Sequence, residues 1–111
     1  MSDRPGLFPG ALELMVLRTL TRGPLHGYAL VRQIRERSGD ELVIEEGSLY
    51  PTLQRLLRAR LVSASWGTSS TNRRVRLYQL TAAGRRHLVR ETSSFEKMLN
   101  AVSRVLLPNL S

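Results

Sequence analysis

The chain has 111 residues, of which 41% are hydrophobic and 23% charged, and it contains no cysteine. That balance describes one ordinary globular domain with a modest core, and it excludes a disordered chain, a disulfide-stapled fold and a thiolate metal site. The net charge is +8, and sixteen of the seventeen basic residues are arginine.

Codon usage in a GC-rich genome explains arginine over lysine but not where the arginines fall. From Arg73 to Arg90 there are six arginines and no acid, whereas the first sixty residues carry nine basic and seven acidic groups. Such clustering points to an anionic partner, with nucleic acid ahead of a membrane surface or an acidic protein. The apolar runs are too short for a membrane span. The N-terminal MSDRPGLFPG lacks the apolar core of a secretory signal. Together with the missing cysteines this fits a reducing, cytoplasmic setting.

In chain order, residues 1–9 read as a flexible leader. From Gly10 to Arg22 the run ALELMVLRTLTR favours helix and holds no breaker. Leu12, Val16 and Leu20 form one stripe, with Met15 beside it and Leu14 and Leu17 on another flank. Apolar coverage this wide suggests a helix held between its own core and a second surface, such as another subunit. Gly23-Pro24 ends it, and a second helix is expected from about Tyr28 to Ser38. Leu42, Val43 and Ile44 form a short apolar linker or small strand.

A third helix is expected to begin near Gly47-Ser48, with Ser48 as N-cap and Pro51 at the third helical position, where its missing N–H is no loss. Leu49, Leu53, Leu56 and Leu57 supply its inward face. Leu61 to Trp66 and Val75 to Leu80 alternate apolar and polar around the turn-forming GTSSTNRR, which predicts an antiparallel hairpin. Trp66 and Tyr78 are assigned to the packed part of that hairpin.

The last helix is expected from Thr81 to about Leu107, ahead of Pro108, on the order of 40 Å long. Leu88, Thr92, Phe95, Leu99, Val102 and Leu106 follow a 4-3-4-3-4 spacing, a heptad-like seam too long for a small domain to cover alone. A homodimer through Leu88, Phe95, Leu99, Val102 and Leu106, joined by Leu12, Val16 and Leu20, is the economical solution.

The fold is therefore expected to be mainly α with a small β-hairpin: a winged helix-turn-helix over 10–80, followed by a dimerisation helix over 81–111. In such a fold the first turn of the third helix reaches bases and phosphates. Ser48, Tyr50, Thr52, Gln54 and Arg55 are the candidates there, with Arg58 a weaker phosphate contact. Asn72, Arg73, Arg74 and Arg76 form the wing, where phosphates offset the mutual repulsion of the arginines. Tyr28, at the head of the second helix, is a candidate for the DNA backbone. Glu45 and Glu46 are adjacent and do not face a common point on a helix; the two histidines lack ligand spacing; and no glycine-rich loop follows a strand. No enzyme, metal or cofactor is expected.

The blocks ALELMVLRTLTRGPLHGYALVRQI, EEGSLYPTLQRLLRARLVSASW and NRRVRLYQLTAAGRRHL together resemble the PadR family of bacterial transcriptional regulators over roughly Gly10 to Leu88, with the single terminal helix of its short form. The resemblance implies a dimeric repressor. Its third helix enters the major groove of double-stranded DNA, its wing touches the flanking backbone or minor groove, and its terminal helix packs on the partner's first helix. A small-molecule effector is a family expectation of unknown identity, and the terminal helix here lacks the tryptophan that some relatives use for planar drugs. Arg60 stands where many relatives carry glycine after the third helix. A left-handed cap costs arginine roughly 1 kcal/mol, so another exit geometry is expected. The rival reading is a winged helix that binds an acidic protein.

Overall fold

The computed structural model describes residues 10–107; the expected leader over 1–9 and the stop at Pro108 lie outside them. Helix α1 spans Ala11–Thr19 and tightens into a 3-10 turn over Leu20–Arg22. Helices α2 (Gly27–Arg37) and α3 (Glu46–Arg58) follow, then strands β1 (Val62–Thr68) and β2 (Arg74–Leu80), and helix α4 (Ala82–Leu106).

Helix α1 is the centre of the body and packs on α2, α3 and α4. Val16, Leu17 and Leu20 are buried among Leu30, Ile34, Leu49, Leu53, Leu56, Val62, Tyr78, Leu80 and Leu88. This corrects the subunit assignment of Val16 and Leu20. The wide apolar coverage of α1 is consumed by three neighbouring helices of its own chain, and only Leu12 of the expected stripe stays half-buried. The single buried hydroxyl of this helix, on Thr19, donates to the Met15 carbonyl at 2.6 Å, so its burial leaves no polar group unpaired.

Helix α2 opens on His26, whose Nδ1 accepts the Ala29 N–H at 3.3 Å. It closes with Gly39 at φ 66°, the Gly39 and Asp40 N–H groups returning to the carbonyls of Glu36 and Arg35, a Schellman cap. The segment 41–45 is coil rather than a strand, anchored by buried Ile44 with Val43 left outside. The third extended piece is instead Leu25, which bridges Tyr78 through both backbone bonds, at 3.1 and 2.9 Å.

Helix α3 starts earlier than the capping pattern suggests. Glu45 is its N-cap and makes no side-chain capping bond, and Ser48 already lies in the first turn. Its N–H bonds the Glu45 carbonyl and its own carbonyl accepts the Thr52 hydroxyl. Pro51 therefore sits inside the helix. The bond it cannot make would have gone to the carbonyl of Gly47, which is exposed, so solvent can satisfy that group.

The exit of α3 also overturns the expectation. Arg60 adopts φ 60°, and the N–H groups of Arg60 and Leu61 bond the carbonyls of Leu57 and Leu56 at 3.0 Å each. The left-handed cap forms despite the side chain, because two recovered backbone bonds and the half-buried Leu61 offset a strain of roughly 1 kcal/mol.

The strands pair antiparallel from Val62↔Leu80 to Thr68↔Arg74. The Asn72 N–H bonds Ser69 O at 2.9 Å, the Ser69 N–H bonds Arg73 O at 2.8 Å, and Asn72 takes φ 62°. This is a three-residue loop with a left-handed third residue, a position that asparagine tolerates.

Helix α4 begins on Thr81, whose hydroxyl accepts the Gly84 N–H and donates to the Arg60 carbonyl at 2.8 Å. Gly84 presses against the Leu61 carbonyl. Beyond it only Leu88 is buried, and it packs into the chain's own core, so Leu88 is not part of a free seam. Leu99, Val102 and Leu106 are exposed and Phe95 is half-buried.

A Cβ at position 84 would overlap the Leu61 carbonyl oxygen, a backbone atom that cannot step aside cheaply. Gly84→Ala is expected to cost about 1–3 kcal/mol, read as a lowered midpoint in urea denaturation. An unchanged midpoint would show that α4 does not cross Leu61 this closely.

Candidate nucleic-acid interface

The buried residues Leu49, Thr52, Leu53 and Leu56 define the inner side of α3. At 3.6 residues per turn, Gln54 and Arg58 project opposite them and Tyr50 stands on the flank toward α2, and all three are exposed. Thr52 is the first correction among the expected contacts. It is 2% exposed, and its hydroxyl is committed to the Ser48 carbonyl and to Arg55 Nη2, at 3.0 Å each. Arg55 turns aside too. Its Nε donates to Glu13 Oε1 of α1 at 2.9 Å, so its guanidinium braces two helices instead of projecting with Gln54. Ser48 is exposed beside them.

Tyr50 lies against the start of α2, its hydroxyl 3.1 Å from where a Cβ on Gly27 would stand. The first N–H groups of α2 lack carbonyl partners inside the helix, and that of Ala29 is already taken by His26 Nδ1. Next to them, Tyr28 is 66% exposed. Its ring stacks on His26 at 6.4 Å and has the Arg32 guanidinium 5.8 Å from its centroid.

Tyr50 also influences Tyr78, the buried aromatic of β2. Burial raises the Tyr78 phenol above its ordinary pKa of 10.0; the charge of Arg76 pulls it part-way back, and Tyr50 adds to the rise. Arg76 stands over the Tyr78 ring at 5.9 Å.

On the wing, Trp66 pairs with Arg76 and Thr68 with Arg74, which puts all four side chains on the sheet face that carries Val62, Ala64, Tyr78 and Leu80 to the core. Near the tip that face runs past the core. Trp66 is 62% exposed there, with the Arg74 guanidinium 4.4 Å from its ring centroid. This corrects its assignment to the packed hairpin. Alternation placed it on the inward face, but its distance along the strand put it beyond the body; its cross-strand pairing with an arginine was the available signal. Asn72 and Arg73 are exposed at the tip. Among the described residues no carboxylate pairs with Arg73, Arg74 or Arg76, and the sequence from Gly47 to Arg90 contains no acid.

The model of the Transcriptional regulator PadR-like family matches residues 16–90. The chain belongs to this family. Its members are transcriptional regulators and not enzymes, and the winged helix described above is their fold. The chain is similar to a PadR family transcriptional regulator from Eggerthella lenta, with 28% identity, 88% of this chain and 83% of that one covered, and a TM-score of 0.74. It also shares its fold with a transcriptional regulator from Clostridium thermocellum at 22% identity, 86% and 92% coverage and a TM-score of 0.78. A 37.1 kDa protein in a Streptomyces fradiae transposon is 37% identical over 97 residues, and the chain spans 26% of its length. No helix among the described residues is long and apolar enough to cross a membrane.

The raised Tyr78 pKa gives a pH prediction with a definite sign. Below about pH 10 the phenol is neutral in both the folded and the unfolded chain, and its burial contributes fully. As pH climbs from about 10 through the raised folded value, the unfolded chain ionises first and stability is lost. Denaturation midpoints should fall over that window, and Tyr78→Phe should flatten the fall.

Proposed function

We propose that this PadR-family chain is a sequence-specific DNA-binding repressor that acts as a homodimer on a pseudo-palindromic operator. The observation that carries the reading is the join between the outward face of α3 and an arginine wing with no acid in its segment. Tyr50, Gln54 and Ser48 would meet base edges and nearby phosphates in the major groove. Arg58 lies on the same stripe and would take a phosphate further along. Asn72, Arg73, Arg74 and Arg76 would follow the flanking backbone, and Tyr28 would approach it from the head of α2. Arg55 contributes indirectly, by fixing α3 to α1.

The dimer reading is supported by what the single chain leaves uncovered. Leu99, Val102, Val105 and Leu106 are exposed on α4 beyond the last core contact at Leu88. Phe95 and Leu12 are half-buried at the edge of the same region. A second copy packed there would hold two recognition helices about 34 Å apart, matching successive major grooves. Seated across two grooves within a promoter, such a dimer would block it by occupancy; in vitro transcription from a bound promoter gives the sign directly.

The electrostatic part predicts that log affinity for duplex DNA falls linearly with log salt. Arg73→Ala with Arg74→Ala should weaken all sequences alike and shallow the slope by up to about 0.9 for each phosphate no longer neutralised. Gln54→Ala should instead relax base preference at one position of a selected-sequence pool. Binding that is no tighter for DNA than for other polyanions, with no preference in the pool, would favour an acidic protein partner. Mass under native conditions tests the assembly: Leu99→Glu with Leu106→Glu should shift a dimer to monomer.

A further inference from the structure

The wing's exposed tryptophan has no place in the contacts proposed above. Trp66 is the only tryptophan of the chain. At 62% exposure it leaves a large apolar ring in solvent on a two-stranded hairpin, forgoing the gain of burial. The Arg74 guanidinium lies 4.4 Å from its centroid, and Arg76 is its direct cross-strand partner.

We propose that Trp66 is a positioning residue for DNA contact: its ring is a platform that holds the Arg74 guanidinium toward a backbone phosphate. The inference rests on the DNA-binding reading. Arg74 and Arg76 stand two apart on one face of β2, so their side chains leave the strand about 7 Å apart with no acid in the segment to hold them. A free arginine there would swing through many rotamers. A guanidinium laid on an aromatic face is restrained, while its N–H donors stay in the plane of the group and point outward, as a bidentate phosphate contact needs. Arg76 repeats the arrangement more loosely over Tyr78, at 5.9 Å. The wing face is therefore a short ladder of guanidinium and aromatic groups. Its outer rung is the only one in which both members are exposed, and is the one assigned to DNA.

The single tryptophan makes the test direct. In the free protein, Arg74→Ala should raise the acrylamide quenching of Trp66 emission by uncovering one face of the ring; unchanged quenching overturns the stack. Binding is then measured by anisotropy of a labelled mixed-sequence duplex of about 30 base pairs. Trp66→Ala should weaken it about two- to five-fold per wing, the range of an exposed cation–π contact, with Trp66→Phe restoring most of the affinity. In the Arg74→Ala background, Trp66→Ala should cost nothing further. Equal losses in both backgrounds, or no loss in either, overturn the proposal. Both side chains are exposed, so thermal midpoints should match the parent chain, which separates positioning from folding. If the parent chain fails to bind the duplex at all, the DNA-binding reading falls, and the quenching comparison still decides whether the stack exists.

Discussion

The crossing of α4 over the end of α3 is the constraint on which the rest of the molecule depends. At one point the Thr81 hydroxyl holds the Arg60 carbonyl, the Thr81 N–H holds the Leu61 carbonyl at 3.1 Å, and Gly84 lies flat on the same carbonyl. Position 61 leads directly into β1, and Thr81 directly follows β2. These contacts together fix the exit of α3, the base of both strands of the wing and the direction in which α4 leaves. Only glycine permits the approach, and the left-handed turn at Arg60 aims the chain into it. The strain at Arg60 is local, whereas the geometry it secures is shared by every element that would touch DNA.

A second link ties α3 to the side of the molecule that α4 covers. Glu13 of α1 receives Arg55 at 2.9 Å, and Arg55 in turn bonds the buried Thr52 hydroxyl. The pair is half-exposed and worth little alone, on the order of 0.5–1 kcal/mol. It adds a brace between α3 and α1 to a rotation that the buried Leu49, Leu53 and Leu56 already set. Glu13 also lines the groove between α1 and α4, with Leu14, His87, Phe95 and Met98.

The elements were legible wherever a local signal was unopposed. Hydrophobic period located the helices and the hairpin, and Gly23-Pro24 marked a true end. The misplacements share a cause, because period locates a face without saying what covers it. Val16 and Leu20 sit on a stripe that looked like a subunit surface, and Leu88 opened a seam that looked free; all three fill the core of one chain. Thr52 has the polarity of a reader and the position of a core residue, a choice that only the packing around α1 resolves. Ser48 has a capping side chain, yet the helix begins three residues earlier on Glu45, which makes no side-chain capping bond, and Arg60 shows the converse, a cap formed without glycine.

The wing shows best why composition alone would mislead here. Arg73, Arg74 and Arg76 read as charge, and charge would draw them toward any polyanion. The register adds what the composition lacks. It separates the inward face into a part that reaches the core, at Val62, Tyr78 and Leu80, and a part that overshoots it, at Trp66 and Arg74. The same alternation that buries Tyr78 strands Trp66 in solvent, and the stranded ring meets a guanidinium two rungs along. A hairpin longer than its core needs is what turns a structural strand into a surface able to direct its charges, and the exposed tryptophan supplies the face on which Arg74 rests.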